Sequence, residues 1–248
     1  MKHFKKHHPL LIKKLEAASA SDKKSGFKDL KKYIGTQYDF IGLSVPKQRE
    51  VFKIGTLNVY YLPDQLTIWD EIWQHSTLYE AMTQALFFAE QHKDAFDTKM
   101  LFSITKNWVK KIDNWAHSDG LSGLFSYLLE KDAKLVYPQL KTWNKSVNPW
   151  ERRQSLVALL EYSKKRKAVL PVNKLLPMIK PLLKDEDYFV QKGLGWTLRE
   201  IGNVYPKETM EFLLKHHAVI SAVAFSPAVE KLPAKQKEEL KQLRKKNR

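Results

Sequence analysis

The sequence predicts an all-α protein built from paired helices. Apolar residues recur three and four positions apart, as in Trp69, Ile72 and Trp73, which is the spacing of one face of a helix. The alternation of apolar and polar residues that marks a half-buried strand is almost absent. The exception is residues 57–62, LNVYYL, for which we favour a helix end or a connector over a strand.

Prolines divide the chain into segments of helical length. Proline is tolerated in the first turn of a helix but disrupts its interior, so we expect seven of the 11 prolines to start or stop helices. The seven are Pro63, Pro138, Pro149, Pro171, Pro177, Pro181 and Pro206. The 9 glycines and 11 prolines never cluster into a linker. We therefore predict one continuous domain over residues 1–248.

Two segments of the chain align with each other position by position. Residues 150–159, WERRQSLVAL, match residues 189–198, FVQKGLGWTL, in their aromatic, basic and apolar positions. A third copy precedes both and pairs Ile112 with Trp150, Trp115 with Arg153, and Asp119 with Val157. A period of about 40 residues is typical of HEAT repeats, two-helix units that stack on one another. The predicted fold class is therefore an all-α, curved, right-handed solenoid of HEAT-like repeats.

The chain is strongly basic, with 43 Lys and Arg against 27 Asp and Glu and a formal charge of +16. Such an excess favours a polyanionic partner, because Lys and Arg neutralise phosphates and release condensed counterions. Nucleic acid is the first candidate and an anionic membrane the second. A soluble protein from an organism with a basic proteome is the remaining alternative. The basic tail from about Pro233 is expected to be either disordered or a solvated helix end.

Several classes of protein are excluded by what the sequence lacks. It has no apolar run of about 18 residues and no secretory pattern at its start, so we expect a cytoplasmic protein, in the cytosol or nucleoid of a bacterium. Its 0 cysteines exclude thiol nucleophiles and thiolate zinc sites. With no phosphate-binding glycine motif and no HExxH, neither a cofactor nor a metal is expected. The neighbours His117, Ser118 and Asp119 point in different directions on a helix and cannot form a catalytic triad.

Trp115 and Asp119 are four residues apart and share one helical face. Under the repeat alignment, Arg153 and Trp196 come from equivalent helices of the next two repeats, on the same concave surface. Taken alone, a helical Trp is more often a core residue and a lone Asp more often a solvated one. Together, a carboxylate between two indoles on a basic surface suits cleavage through a cationic sugar transition state.

Four ordered blocks of the chain resemble a known family. The blocks are Lys32-Tyr33-Ile34 with residues 40–49 (FIGLSVPKQR), Asp113 to Asp119, Trp150 to Arg153, and Phe189 to Glu200. Their order and spacing resemble those of the AlkD-like, HEAT-repeat DNA glycosylases of the DNA alkylation repair family. The resemblance spans about Tyr33 to Glu200, and the combination is far more specific than any single block.

The resemblance implies a metal-independent glycosylase that excises cationic N3- or N7-alkylated purines from duplex DNA in base excision repair. It implies Asp119 as the catalytic carboxylate. The residues expected to bind the substrate DNA are Tyr33, Trp115, Arg153, Lys192 and Trp196. Of these, the two tryptophans would contact the deoxyribose of the lesion, and Arg153, expected on the surface, would hold a phosphate. Ala116 departs from several members of the family, which have an acidic residue there.

Two other functions stay open at this stage. One is a non-catalytic DNA-structure-binding protein of the same fold, since relatives without glycosylase activity exist. The other is a helical-repeat scaffold for an acidic protein or a membrane surface. For the favoured function we expect a monomer that acts on duplex DNA containing alkylated bases, without a membrane partner.

Overall fold

The computed structural model describes residues 2–22, 29–53, 57 and 60–246. Within these ranges the chain forms 14 α-helices and three short 3₁₀ helices, and its strand-like pairing is limited to one isolated bridge between Asp39 and Leu78. The all-α prediction is confirmed. Residues 58 and 59 of the strand-like segment 57–62 lie outside the described residues, and a helix begins at the segment's last residue, Leu62. No helix in the described ranges is long and apolar enough to cross a membrane.

The chain divides into two compact units, Met1–Gly120 and Leu121–Arg248. The helices of the first unit are α1 (Lys2–Ala20), α2 (Leu30–Ile34), α3 (Val45–Lys53), α4 (Leu62–His75), α5 (Tyr79–His92) and α6 (Thr98–Thr105), followed by a 3₁₀ helix at Lys106–Lys111. Helix α7 (Trp115–Lys131) begins in the first unit and ends in the second. The prediction of one continuous domain stays a prediction.

Two stacked indoles lie at the centre of the first unit. The rings of Trp73 and Trp108 are 4.9 Å apart at an angle of 13°, and both side chains are fully buried. Trp73 Nε1 donates a hydrogen bond to the carbonyl oxygen of Trp108 at 3.1 Å, so burial leaves this polar atom satisfied. Removing about 200 Å² of each indole from water contributes about 5 kcal/mol before the loss of side-chain entropy.

The second unit is organised around one long helix. Its helices after α7 are α8 (Ala133–Trp143), α9 (Pro149–Val157), α10 (Val172–Ile179), α11 (Tyr188–Val204), α12 (Pro206–His216), α13 (Ala222–Ala228) and α14 (Ala234–Lys246), with 3₁₀ helices at Ser163–Lys165 and Lys180–Leu182. Helix α11 packs against both α9 and α13. Because α9 and α11 carry the predicted Arg153, Lys192 and Trp196, this packing positions those residues.

The capping residues test the register of the repeat alignment. Asn148 caps α9 and Asp187 caps α11, each by accepting a backbone N–H bond, and the predicted alignment pairs these two caps with each other. Asn114 caps α7 in the same way, but the predicted alignment of the third copy does not pair it with Asn148. Ile112 lies before the first residue of α7, whereas Trp150, its match in the predicted alignment, lies inside α9. The register of the third copy was wrong by about one helical turn.

Five of the seven prolines occupy the positions that were predicted for them. Pro63, Pro149 and Pro206 lie in the first turns of α4, α9 and α12, Pro171 caps α10, and Pro181 opens a 3₁₀ helix. Pro138 and Pro177 lie inside α8 and α10, so the prediction for these two was wrong. Each proline removes one backbone hydrogen bond from its helix. The helix forms nevertheless because it buries an apolar face, which in α10 includes Met178 and Ile179.

The basic tail forms helix α14 up to Lys246. Leu240 is fully buried, and Arg244 donates from Nη1 to the carbonyl oxygen of Ile220 at 2.7 Å. The guanidinium of Arg244 also lies 4.3 Å from the centre of the Phe225 ring. Of the two alternatives for the tail, the helix end is the one observed over these residues.

Candidate functional site

Asn114 fixes the start of α7, the helix that carries Trp115 and Asp119. Its Oδ1 accepts a bond from the backbone N–H of His117 at 2.9 Å, which is the bond of a helix N-cap. Its Nδ2 donates to Asp113 Oδ1 at 2.8 Å and lies 3.0 Å from His117 Nδ1. An amide nitrogen only donates, so His117 Nδ1 is the acceptor of this bond.

His117 is a buried, neutral histidine. Burial lowers its pKa to about 3, against a smaller opposing effect of the Asp113 charge. Its ring stacks on Tyr79 with centres 4.4 Å apart, and its Nε2 lies 3.1 Å from Thr83 Oγ1. Because Nδ1 accepts a hydrogen bond from Asn114, the proton of the neutral ring is on Nε2, which donates a hydrogen bond to Thr83 Oγ1. His117 therefore holds α7 against α5 rather than taking part in proton transfer.

The burial of His117 predicts a loss of stability in mild acid. The unfolded chain binds a proton at this residue below a pH of about 6.5, whereas the folded protein does not until about 3. The free energy of unfolding should therefore fall by about 1.4 kcal/mol per pH unit below 6.5, or about 2 kcal/mol by pH 5. Urea unfolding of wild type and His117→Gln at several pH values measures this slope.

The comparison with His117→Gln isolates this residue, because the other histidines with lowered pKa values are present in both proteins. These are His7, His8, His92 and His216. The variant is expected to show a smaller slope than wild type by about one proton. Equal slopes would show that folded His117 takes up a proton as readily as the unfolded chain.

Asp113 connects the loop after α2 to the start of α7. Its carboxylate accepts bonds from Thr36 Oγ1 at 2.9 Å and from the backbone N–H of Gln37 at 2.7 Å. Next to this connection, Tyr33 and Trp115 lie in contact with each other, while the role of Tyr33 in DNA binding stays a prediction. Trp115 Nε1 donates to the carbonyl oxygen of Tyr33 at 2.9 Å, and the two rings meet edge to face at 5.5 Å and 81°.

Tyr33, Trp115 and Asp119 form what we call the α7 cluster. The Tyr33 side chain is 57% exposed, and Trp115 and Asp119 are half-buried. Asp119 follows Trp115 by four residues on α7, which places both on one face of the helix. The cluster thus offers an aromatic pair and a carboxylate one helical turn apart.

Arg153 is only 4% exposed, so the expectation of a surface arginine was wrong. Its Nη1 donates to the carbonyl oxygen of Phe189 on α11 at 2.7 Å. A Cβ added to Gly193 would lie 3.1 Å from this Nη1, so the missing side chain of Gly193 lets the guanidinium lie between α9 and α11. The role of Arg153 as a phosphate contact stays a prediction.

Because Arg153 is buried, Arg153→Ala is expected to destabilise the protein by about 2 kcal/mol. The variant loses a charged hydrogen bond and leaves the Phe189 carbonyl without this donor. Lys192→Ala is the matched control, because Lys192 is exposed at the equivalent position of α11 and should change stability by less than about 0.5 kcal/mol. Urea unfolding measures both, and an unchanged Arg153→Ala would mean that Arg153 contributes nothing to the packing of α9 on α11.

Trp196 is half-buried on α11, one turn after Lys192. Its Nε1 is buried and has no acceptor within the part of the chain that the structure describes. A buried indole N–H without an acceptor costs about 1 to 3 kcal/mol, so the packing around Trp196 carries this cost. We call Arg153, Lys192 and Trp196 the α11 cluster. The prediction that it shares one concave surface with the α7 cluster stays a prediction.

Gly195, the residue before Trp196, is a point of close helix packing. A Cβ at this position would overlap the carbonyl oxygen of Ala224 and would lie 2.5 Å from Pro227 Cγ, both on α13. Glycine at 195 thus lets α13 approach α11, and this contact positions Trp196. The sequence analysis considered this glycine only as part of an incomplete phosphate-binding motif.

Two features near the predicted residues were not anticipated from the sequence. The Asn114–His117 pair had a usable signal, since Asn before a helical pattern is a capping residue. The ring of Tyr162 meets Trp196 edge to face at 5.3 Å. No sequence signal marked Tyr162, because its importance depends on its backbone conformation and on Trp196 of α11.

Comparison with known proteins decides the family. The sequence model of the family described as "DNA alkylation repair enzyme" matches residues 11–232. The chain belongs to the DNA alkylation repair family. All six predicted site residues lie within the matched region. No curated protein matches the chain.

Two solved structures resemble the chain in fold. A predicted DNA alkylation repair enzyme from Enterococcus faecalis is 20% identical with a TM-score of 0.70, over 83% of this chain and 94% of that one. AlkD2 from Streptococcus mutans is 20% identical with a TM-score of 0.51, over 88% of this chain and 98% of that one. At this identity the similarity concerns the fold alone.

Proposed function

We propose that this member of the family is a DNA glycosylase that removes cationic N3- or N7-alkylated purines from duplex DNA. The observation that carries the proposal is the α7 cluster, in which Asp119 lies one turn after the Tyr33–Trp115 pair in a chain of charge +16. A carboxylate repels the phosphates of DNA. Its place beside aromatic rings in a DNA-binding protein is therefore explained if positive charge develops in the bound DNA. The protein acts as a monomer in the bacterial cytosol, without metal or cofactor.

The chemistry needs only one carboxylate. An alkylated purine already carries positive charge and leaves as a neutral base, so no general acid has to protonate it. As the N-glycosidic bond breaks, positive charge passes to the deoxyribose, where Asp119 stabilises it and orients the water that attacks C1′. Water adds its hydroxyl to C1′ and releases a proton to solvent.

The two tryptophans contribute in different ways. Trp115 Nε1 is used in its bond to the Tyr33 carbonyl, so Trp115 presents its ring to the deoxyribose, where an electron-rich indole favours the developing cation. Trp196 Nε1 is buried, so Trp196 contributes only the exposed part of its ring, one turn after Lys192. Lys192 and Arg153 supply positive charge for the phosphates beside the lesion.

The test is incubation with duplex DNA that contains one N7-methylguanine, followed by detection of the free base. The expected result is release of 7-methylguanine by wild type at a rate far above the slow spontaneous release in a reaction without protein. A second function is favoured by Ala116, which departs from the family pattern next to Trp115. If the protein binds this duplex without releasing base, it is a non-catalytic DNA-structure-binding protein, and if it does not bind DNA, neither function holds.

Binding to undamaged duplex is expected to weaken steeply with salt, because phosphate contacts supply most of the affinity. Each contact contributes about 0.9 to the slope of log K against log salt concentration. Lys192→Ala should lower the slope by about 0.9, whereas Lys134→Ala, an exposed lysine on α8, should leave it unchanged. Fluorescence anisotropy at four or more salt concentrations measures the slope, and an affinity independent of salt would contradict phosphate binding.

A further inference from the structure

Tyr162 has a backbone conformation that a tyrosine rarely adopts. Its φ is 46° and its ψ is 81°, and among the described residues it alone combines a side chain with a positive φ. For a bulky residue this region is unfavourable, and such conformations persist only where the surrounding structure imposes them. Glycine would adopt this conformation without strain, so a tyrosine at this position points to a use for its ring.

Buried hydrogen bonds hold the turn that follows Tyr162. Ser163 donates to Glu200 Oε2 from its backbone N–H at 2.9 Å and from its Oγ at 2.8 Å. Asn203 Nδ2 donates to the same oxygen at 3.2 Å. Burial would raise the pKa of Glu200, but the bonds from Ser163 and the nearby Arg199 charge lower it overall, so the carboxylate stays ionised. The turn Tyr162–Lys165, which we call the Tyr162 turn, is thereby fixed to α11.

The fixed turn presents an aromatic ring and two cations to solvent next to Trp196. The Tyr162 side chain is 38% exposed, and its ring meets that of Trp196 at 66°. Lys165 Nζ lies 4.3 Å from the centre of the Tyr162 ring, and both Lys164 and Lys165 are exposed. If the Tyr162 ring served only in packing, we would expect it to be buried and its backbone to have a negative φ.

An open cleft of about 440 Å³ lies beside the turn. Its walls include the Tyr162 ring, the cationic residues Lys164, Arg199 and Lys231, and the carboxylate of Glu200. Arg199 forms ion pairs with Glu200 at 3.4 Å and Glu230 at 2.5 Å, so the lysines rather than Arg199 are the cations that would bind phosphates. Cationic residues along a groove with an aromatic side chain at its edge are what binds a nucleic-acid strand, because the cations follow the phosphates and the ring packs on a nucleoside.

We propose that the Tyr162 turn is a second DNA-contact element, separate from the residues implied by the resemblance. In this proposal, the Tyr162 ring packs on the nucleoside next to the one at Trp196, and Lys164 and Lys165 bind the phosphates that flank it. The inference rests on the proposed function, since it takes Trp196 as a DNA contact. In this proposal, the unfavourable backbone conformation of Tyr162 directs its ring towards the DNA strand.

The first experiment separates the ring from the backbone. Tyr162→Gly removes the ring and relieves the unfavourable φ, and this relief offsets part of the lost contact with Trp196, so the variant should stay folded with a free energy of unfolding within about 2 kcal/mol of wild type. Its affinity for a duplex carrying a tetrahydrofuran abasic-site analogue should fall about 5- to 150-fold, the range for one lost aromatic contact. Tyr162→Phe should bind like wild type. Tyr61→Gly, another exposed tyrosine, is the control and should bind unchanged.

The second experiment detects the contact directly and does not depend on a variant. Duplexes with 5-iodouracil at the positions flanking the abasic analogue are irradiated with wild-type protein, and the crosslinked peptide is identified by mass spectrometry. A crosslink at Tyr162 is expected. A third, separate experiment tests the two lysines: the double change Lys164→Ala and Lys165→Ala should lower the salt slope of binding by about 1.8, for two phosphate contacts.

The outcomes distinguish this inference from the proposed function. If wild type releases 7-methylguanine while Tyr162→Gly binds and acts like wild type, the inference is overturned and the glycosylase stands. If wild type binds DNA without releasing base while Tyr162→Gly binds weakly, the inference stands and the glycosylase does not. Crosslinks elsewhere with none at Tyr162 overturn the inference, and a wild type that binds no DNA overturns both.

Discussion

Replacing Asp119 by Asn is expected to lower the rate of base release by about 10²- to 10³-fold, the usual effect of removing one electrostatic stabiliser. Asparagine preserves the size of the side chain and its hydrogen-bonding capacity but removes its negative charge. The transition state for loss of a cationic purine carries positive charge on the deoxyribose. Asp119 is half-buried one turn after Trp115, where reduced contact with water strengthens its interaction with that charge.

The same substitution should leave DNA binding intact or strengthen it. A carboxylate repels phosphates in the ground state and becomes favourable only when positive charge develops on the sugar, so its effect is on catalysis rather than on affinity. Asp119→Asn should therefore bind a duplex with an abasic-site analogue at least as tightly as wild type. This opposite behaviour of rate and affinity separates a catalytic carboxylate from one that organises the binding surface.

Single-turnover release of 7-methylguanine at saturating protein measures the rate. Asp132→Asn is the matched control, because Asp132 caps α8 by accepting from the backbone N–H of Leu135 at 3.0 Å and asparagine caps equally well. The control makes the same change in net charge away from the α7 cluster and should keep the wild-type rate. Equal rates for wild type and Asp119→Asn would remove Asp119 from the mechanism. Lower stability with unchanged turnover per folded molecule would make it a structural residue.

The shared face of Trp115 and Asp119 was accessible from the sequence because it depends on local geometry. The spacing of Trp115 and Asp119 places them on one helical face wherever the helix lies, and α7 does begin at Trp115. Asn114 was an available signal for that start. Tyr33 is 82 residues before Trp115 in the chain. The resemblance named Tyr33 as a residue of the site, but no local pattern could predict its contact with so distant a residue.

Burial of Arg153 was not predictable, because it depends on the partner helix. The arginine and Gly193 are distant in the sequence, and the space for its guanidinium exists only because α9 and α11 meet where Gly193 has no side chain. The same limit applies to Pro138 and Pro177. Proline inside a helix destabilises it by about 3 kcal/mol. Whether this loss is offset depends on the apolar surface that the helix buries in the folded protein.

Replacing Gly195 by Ala is expected to give the largest loss of stability among these substitutions. The new Cβ would overlap the carbonyl oxygen of Ala224 and would lie 2.5 Å from Pro227 Cγ. A carbonyl oxygen belongs to the backbone, so α13 would have to move away from α11, which we expect to cost about 4 kcal/mol, above the usual range for overpacking. Alanine favours the helix by about 1 kcal/mol over glycine, which leaves a net loss of about 3 kcal/mol.

Gly202→Ala on the same helix is the matched control for Gly195→Ala. A Cβ at Gly202 would make an ordinary contact of 3.4 Å with Thr209 Cγ2, so the helix preference for alanine should dominate and stabilise the protein by up to about 1 kcal/mol. Urea unfolding of both variants should therefore give changes of opposite sign. If both alanines stabilise the protein equally, α11 and α13 do not approach each other at Gly195, and the contact that positions Trp196 is not the one described.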